Sequence, residues 1–171
     1  MNYKIALLGL IQIISSLSIG VFILVITYSI VKWVGRKYYD IQHGNIAYSI
    51  FTASIMFSVG YMVSSVIQPL ISSFRLMSTQ SESNFTLFFK YIGQGAIYIG
   101  IAYVVSLLIG LLSTALYARI TPIDEFEEIK TNNIGVALIV SSIIITLTLM
   151  TKSGVTLLIE SIIPYPDIAP R

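Results

Sequence analysis

The chain has 171 residues, of which 56% are hydrophobic and 11% charged. A soluble domain carries about 25% charged residues, so this chain has too few charges to cover a water-facing surface, and lipid is the expected surroundings. A net charge of +2, with no basic run among aromatics, points away from nucleic acid. The absence of cysteine excludes disulfides and thiolate chemistry. A single histidine, His43, excludes a multi-histidine metal site within one chain.

Charge-free stretches divide the sequence. They lie between Lys4 and Lys32, His43 and Arg75, Lys90 and Arg119, and Lys130 and Lys152. Each reaches about 20 residues, the length a helix needs to cross a hydrocarbon core of roughly 30 Å. The expected spans are about Ile5–Val31, Asn45–Ile71, Tyr91–Leu116 and Asn133–Met150, the last continuing toward Ile163. Helix is required because every backbone polar group inside lipid must find its partner within the segment or a closed barrel. Barrel strands would alternate polar and apolar residues, and these segments do not. The first span exceeds the h-region of a signal peptide and is followed by no small-residue cleavage site, so it reads as a retained helix.

The connections read as loops: Lys32–Gly44, Ser72–Lys90 and Tyr117–Asn132. The tail from Ile163 to Arg171 carries three prolines and is expected to be non-helical. Lys32, Arg36, Lys37, Arg119 and Lys130 fall on one side of the membrane, Lys4, Arg75, Lys90 and Arg171 on the other. The three basic residues of the first hairpin loop favour placing that loop in the cytoplasm and both termini outside.

A shift of 88 residues lays Asp40-Ile-Gln-His-Gly-Asn-Ile-Ala47 on Glu128-Ile-Lys-Thr-Asn-Asn-Ile-Gly135. Spans one and three then correspond, as do two and four. The expected fold is an all-α integral membrane protein with four transmembrane helices, built as two parallel-repeat helical hairpins. One membrane domain covers 1–171, with units at about 5–71 and 91–163. Alternating-access transporters more often use inverted repeats, and this repeat is parallel.

The second unit contains Ile120-Thr121-Pro122, then Glu125-Phe126, then Ile129-Lys130 with Asn132-Asn133. These motifs resemble those of domain-of-unknown-function family 350, the YjfL-like small bacterial inner-membrane proteins. In the first unit Asp40, Ile41, Gly44, Asn45 and Ala47 fit the pattern, but its Thr-Pro is missing. The resemblance implies four helices and a bacterial inner (cytoplasmic) membrane, and no established activity.

Asn45 and Asn133 each open a span. With Asn132 they are candidates either for helix caps or for a polar mouth backed by positive helix ends. Asp124, Glu125, Glu127 and Glu128 precede the fourth span and read as a solvated helix start, or as a cation-collecting rim or a docking site for a partner. Ser16 and Gly20 on span one, and Ala102, Ser106, Gly110 and Thr114 on span three, recur every fourth residue and suit close helix packing. Lys152 lies near the far interface, where its long side chain can snorkel. Gln12, Ser16, Ser54, Ser58, Gln94, Ser106, Ser142 and Thr146 could line a pore among several chains.

No nucleophile–base pair, metal cluster or cofactor fingerprint is present, so neither enzyme activity nor a cofactor is expected. The leading expectation is a non-catalytic subunit of a larger membrane assembly. The alternative is a small homo-oligomeric channel or transporter for ions or small solutes. The expected partners are the lipid bilayer and other membrane subunits or further copies of this chain, with no nucleic acid.

Overall fold

The structure is a computed structural model, and it describes residues 3–42, 44–78, 84–120 and 124–162. His43, the Thr-Pro pair at 121–122 and the tail from Ile163 lie outside them. Among the described residues all regular structure is helical: α1 (Tyr3–Tyr39), α2 (Ile46–Ser64), α3 (Ile67–Ser78), α4 (Asn84–Ile120), α5 (Glu125–Lys130) and α6 (Ile134–Ile162). Four segments are long and apolar enough to cross a membrane: Ser16–Lys37, Ile46–Ser73, Ile92–Leu116 and Ile134–Ile162. The chain is a four-span membrane protein of two helical hairpins.

The helices outrun the apolar runs that announce them. α1 continues past Val31 to Tyr39, because Lys, Trp, Val and Arg are all tolerated in a helix once it leaves the lipid. It stops where Asp40 takes a positive φ of 48°. The second span is not one helix, as the charge-free run suggests, but two. Pro69 accounts for the break. It has no N–H to give the carbonyl four residues back, at Ser65, and its ring crowds that carbonyl. The chain tightens there instead: the Ser65 and Val66 amides donate to Met62 and Val63, each at 3.0 Å. The Ser65 hydroxyl adds a 2.6 Å bond to the Met62 carbonyl.

α2 and α6, the equivalent helices of the two units, form the central pair. At one end Ala47 and Phe51 pack with Ile129, Val136, Ala137, Val140 and Ile144. At the other, Val59, Met62 and Val66 meet Tyr98, Ala102, Val155 and Ile159. α4 packs on both central helices, whereas α1 packs chiefly on α2. Only 11% of the first span is buried inside the protein, against 50% of the second. The Ile, Leu and Phe side chains that α1 leaves exposed need apolar surroundings, which the membrane interior provides.

Three buried hydroxyls tie α2, α4 and α6 together. Ser58 Oγ lies 2.9 Å from Ser106 Oγ and 2.7 Å from Thr148 Oγ1. Thr148 also donates to its own helix at Ile144, 2.7 Å away. Such interhelical bonds in membranes average about 0.6 kcal/mol and reach about 1.7. Ser58→Ala removes both interhelical bonds and is expected to cost about 1 kcal/mol. Thr148→Val keeps the shape and leaves Ser58 bonded to Ser106, so it should cost less. Denaturant titration of the protein in bicelles checks that order.

Candidate functional site at the junction of the two repeats

The polar residues singled out in both units converge at the ends of α2, α5 and α6. Asn45 is the N-cap of α2 in extended backbone, and its Oδ1 accepts from the Tyr48 amide at 2.7 Å. The same side chain turns its Nδ2 toward the second unit. It donates to the carbonyls of Ile129 at 2.7 Å and Lys130 at 3.0 Å, which end α5. Asn132 completes the exchange: its Oδ1 accepts from the Ala47 amide at 3.0 Å. A helix start leaves donors without partners and a helix end leaves acceptors. Here each unit supplies what the other lacks.

Local geometry prepares both residues. α5 ends with the Asn132 amide on Ile129 at 3.0 Å and the Asn133 amide on Glu128 at 2.8 Å. This paired closure needs a left-handed residue, and Asn is second to Gly in tolerating that conformation. Asn132 has φ 68°, and Gly44, its equivalent in the first unit, has φ 87°. Asn133 then caps α6 by accepting from Val136 at 3.3 Å, as Asn45 does for α2. Its Nδ2 stays within its own unit, on Glu128 Oε2 at 2.7 Å. The capping is symmetric between units and the cross-link is not. Since the amides that Asn45 and Asn132 cap are already taken, these residues form a structural clamp rather than a bare polar mouth.

The acidic segment divides by direction. Asp124 caps α5 through Phe126 and Glu127. Glu127 pairs with Lys130 at 3.3 Å, and Glu128 holds Asn133. Glu125 departs from the expectation of a solvated rim. It is only 5% exposed, because it stands four residues before Ile129 on the inward face of a helical turn. Its Oε1 has no partner among the described residues. A partner could dock on Asp124 and Glu127, which are exposed, but not on Glu125.

The small-residue ladders also divide. Ala102 and Ser106 are buried in the helix bundle. Thr114 bonds back to Leu111 of its own helix at 2.8 Å, and Ser16 is half-buried. A side chain added at Gly20 or Gly110 would meet nothing within 4 Å, so these two do not hold helices of this chain together. Ser142 and Thr146 face outward from α6, whereas Ser54 and Ser58 are buried and Gln94 bonds Ser73. The hydroxyl seam uses Thr148 and not Thr146, which stands 88 residues after Ser58; two residues turn a helix by about 200°. Lys152 lies over the Tyr61 ring, 3.8 Å from its centroid, and donates to Ser64 Oγ at 3.2 Å. Among the described residues no three His, Cys, Asp or Glu side chains could hold a metal ion.

The Domain of Unknown Function (DUF350) model matches this chain twice in tandem, at residues 5–89 and 91–163. The chain belongs to the DUF350 family. The two matches coincide with the two hairpins that the clamp joins, so the DUF350 unit is one hairpin and this protein holds two. No curated protein and no solved structure matches the chain.

The clamp makes separable predictions for this DUF350 protein. Asn45→Ala loses the cap and both cross-repeat bonds, and is expected to cost about 1–3 kcal/mol. Asn45→Asp keeps a good cap but sets a carboxylate against two carbonyls, so it should recover little of the loss. Thermal unfolding in detergent distinguishes this from simple capping, for which Asn45→Asp would restore stability.

Proposed function

We propose that this protein is a non-catalytic subunit of a larger assembly in a bacterial inner membrane, with the clamp end in the cytoplasm and both termini in the periplasm. One observation carries the reading. α1 and α4 stand apart across an open apolar groove of about 770 Å³, lined by Phe22, Ile26, Ile92, Gly100 and Tyr103 among others. Gly100 has open space where a side chain would be, so a neighbouring backbone could approach closely. The Tyr103 ring forms part of the same wall. A transmembrane helix of another subunit fits this groove, its backbone seated against Gly100.

The lack of cysteine makes single-cysteine variants clean probes. Gly100→Cys, labelled through its thiol with benzophenone-maleimide and irradiated in native membranes so that the benzophenone inserts into a neighbouring C–H bond, is expected to give a cross-linked species heavier than the monomer, and mass spectrometry would name the second chain. A product of monomer mass, together with a native mass of one chain, would overturn the reading. For orientation, Gln42→Cys should resist a membrane-impermeant maleimide in intact spheroplasts and react after lysis. Labelling of intact spheroplasts would reverse the assignment.

A further inference from the structure

A cleft of about 240 Å³ opens between α1 and α2 at the clamp end. Lys32 and Arg36, one turn apart on α1, line one wall. Gln42, Asn45, Tyr48, Ser49 and Thr52 are its other polar lining residues, and among the described residues no carboxylate lines it. Along the same two helices the lining changes to Tyr28, Ala53 and Met56. At 1.5 Å per residue, Tyr28 lies about 12 Å deeper than Arg36 and Met56 about 16 Å deeper than Asn45. The cleft is therefore cationic at the level where the span begins and apolar toward the middle of the membrane.

Thr52 is the second, independent sign. It is 7% exposed, and its Oγ1 has no hydrogen-bond partner among the described residues. A buried hydroxyl left without a partner destabilises the fold, and valine would fill the same space without that cost. The repeat offers that comparison. At the positions 88 residues on, Tyr28, Lys32, Arg36, Ser49 and Thr52 become Leu116, Ile120, Asp124, Ala137 and Val140. The second hairpin makes the same turn with none of these groups, so the scaffold does not require them.

We propose that this cleft binds the phosphate of an anionic phospholipid headgroup, with the lipid's acyl chains leaving past Tyr28 and Met56. Lys32 supplies a cation at the headgroup level. Arg36, one turn away, adds a second positive charge to the same wall. Thr52, seven residues along α2 and about 10 Å deeper than Asn45, gives its hydroxyl proton to an ester carbonyl oxygen below the phosphate, and the start of α2 adds its positive dipole end at the phosphate level. The apolar floor argues for a lipid over a free phosphate, which would need a polar wall on every side.

The test uses the full chain in detergent micelles doped with phosphatidylglycerol or phosphatidylcholine, with bound lipid read by native mass spectrometry. Phosphatidylglycerol is expected to be retained at least tenfold over phosphatidylcholine. Lys32→Gln combined with Arg36→Gln should remove that preference, while Lys130→Gln at the same membrane end should leave it intact. Thr52→Val should lower phosphatidylglycerol retention several-fold, yet leave the lipid-free melting temperature unchanged or raised. Retention unaffected by the Lys32/Arg36 double substitution overturns the proposal, and so does a Thr52→Val protein that is more stable and binds as before. Inorganic phosphate at millimolar concentration is expected to leave the bound lipid in place. Displacement by phosphate alone would assign the site to a free anion and overturn the lipid.

Discussion

A helix that begins or ends close to a membrane leaves backbone groups without partners, and hydrocarbon supplies none. The exchange between Asn45 and Asn132 answers that constraint across the two hairpins. One side chain gives its amide protons to the end of α5, and the other accepts from the start of α2. Because both ends are satisfied by the opposite unit, neither hairpin is complete alone. α2 and α6 are thereby held side by side, and the apolar packing below follows from that placement. Further along, Ser58, Ser106 and Thr148 repeat the principle with hydroxyls, each bonded where lipid could not reach it.

Much of this architecture was open to a reading of residues in order. Gaps between charges locate the four spans because hydrocarbon excludes charge, and the offset of 88 residues exposes the repeat. Capping by Asn45 and Asn133 was legible because a cap binds amides only three residues away. The cross-repeat bonds were not, since Asn45 reaches a carbonyl 84 positions on and nothing local marks it. Pro69 was legible in principle: a proline inside an apolar run foretells the missing bond at Ser65. Glu125 misleads because an acidic run looks solvated, and only the helical spacing to Ile129 shows that one of its members turns inward. The choice of Thr148 over Thr146 depends on the rotation of α6 against α2, which a repeat register does not contain.

The repeat is symmetric in its scaffold and asymmetric in what it carries. Gly44 and Asn132 make the same left-handed turn, and Asn45 and Asn133 the same cap. Outside the turn the two units differ. α4 packs on both central helices, while α1 leans mainly on α2 and leaves a groove beside it. The first hairpin holds a cationic cleft with a buried threonine hydroxyl that has no partner among the described residues; in the second, Asp124, Glu127 and Glu128 are held by caps and pairs while Glu125 turns inward. A fold that closes its own helix ends at the junction leaves these outer surfaces free to diverge.

The central claim is that the two hairpins are joined by side-chain bonds to backbone, and amide hydrogen exchange in nanodiscs tests it most directly. In the parent protein the Ala47 and Tyr48 amides should both be protected, although they lie in the first turn of α2. Asn132→Gly keeps the left-handed turn but removes the acceptor. It should speed exchange at Ala47 and leave Tyr48, held by Asn45, protected. Equal and rapid exchange of both amides in the parent, or an Ala47 indifferent to Asn132→Gly, would contradict the account.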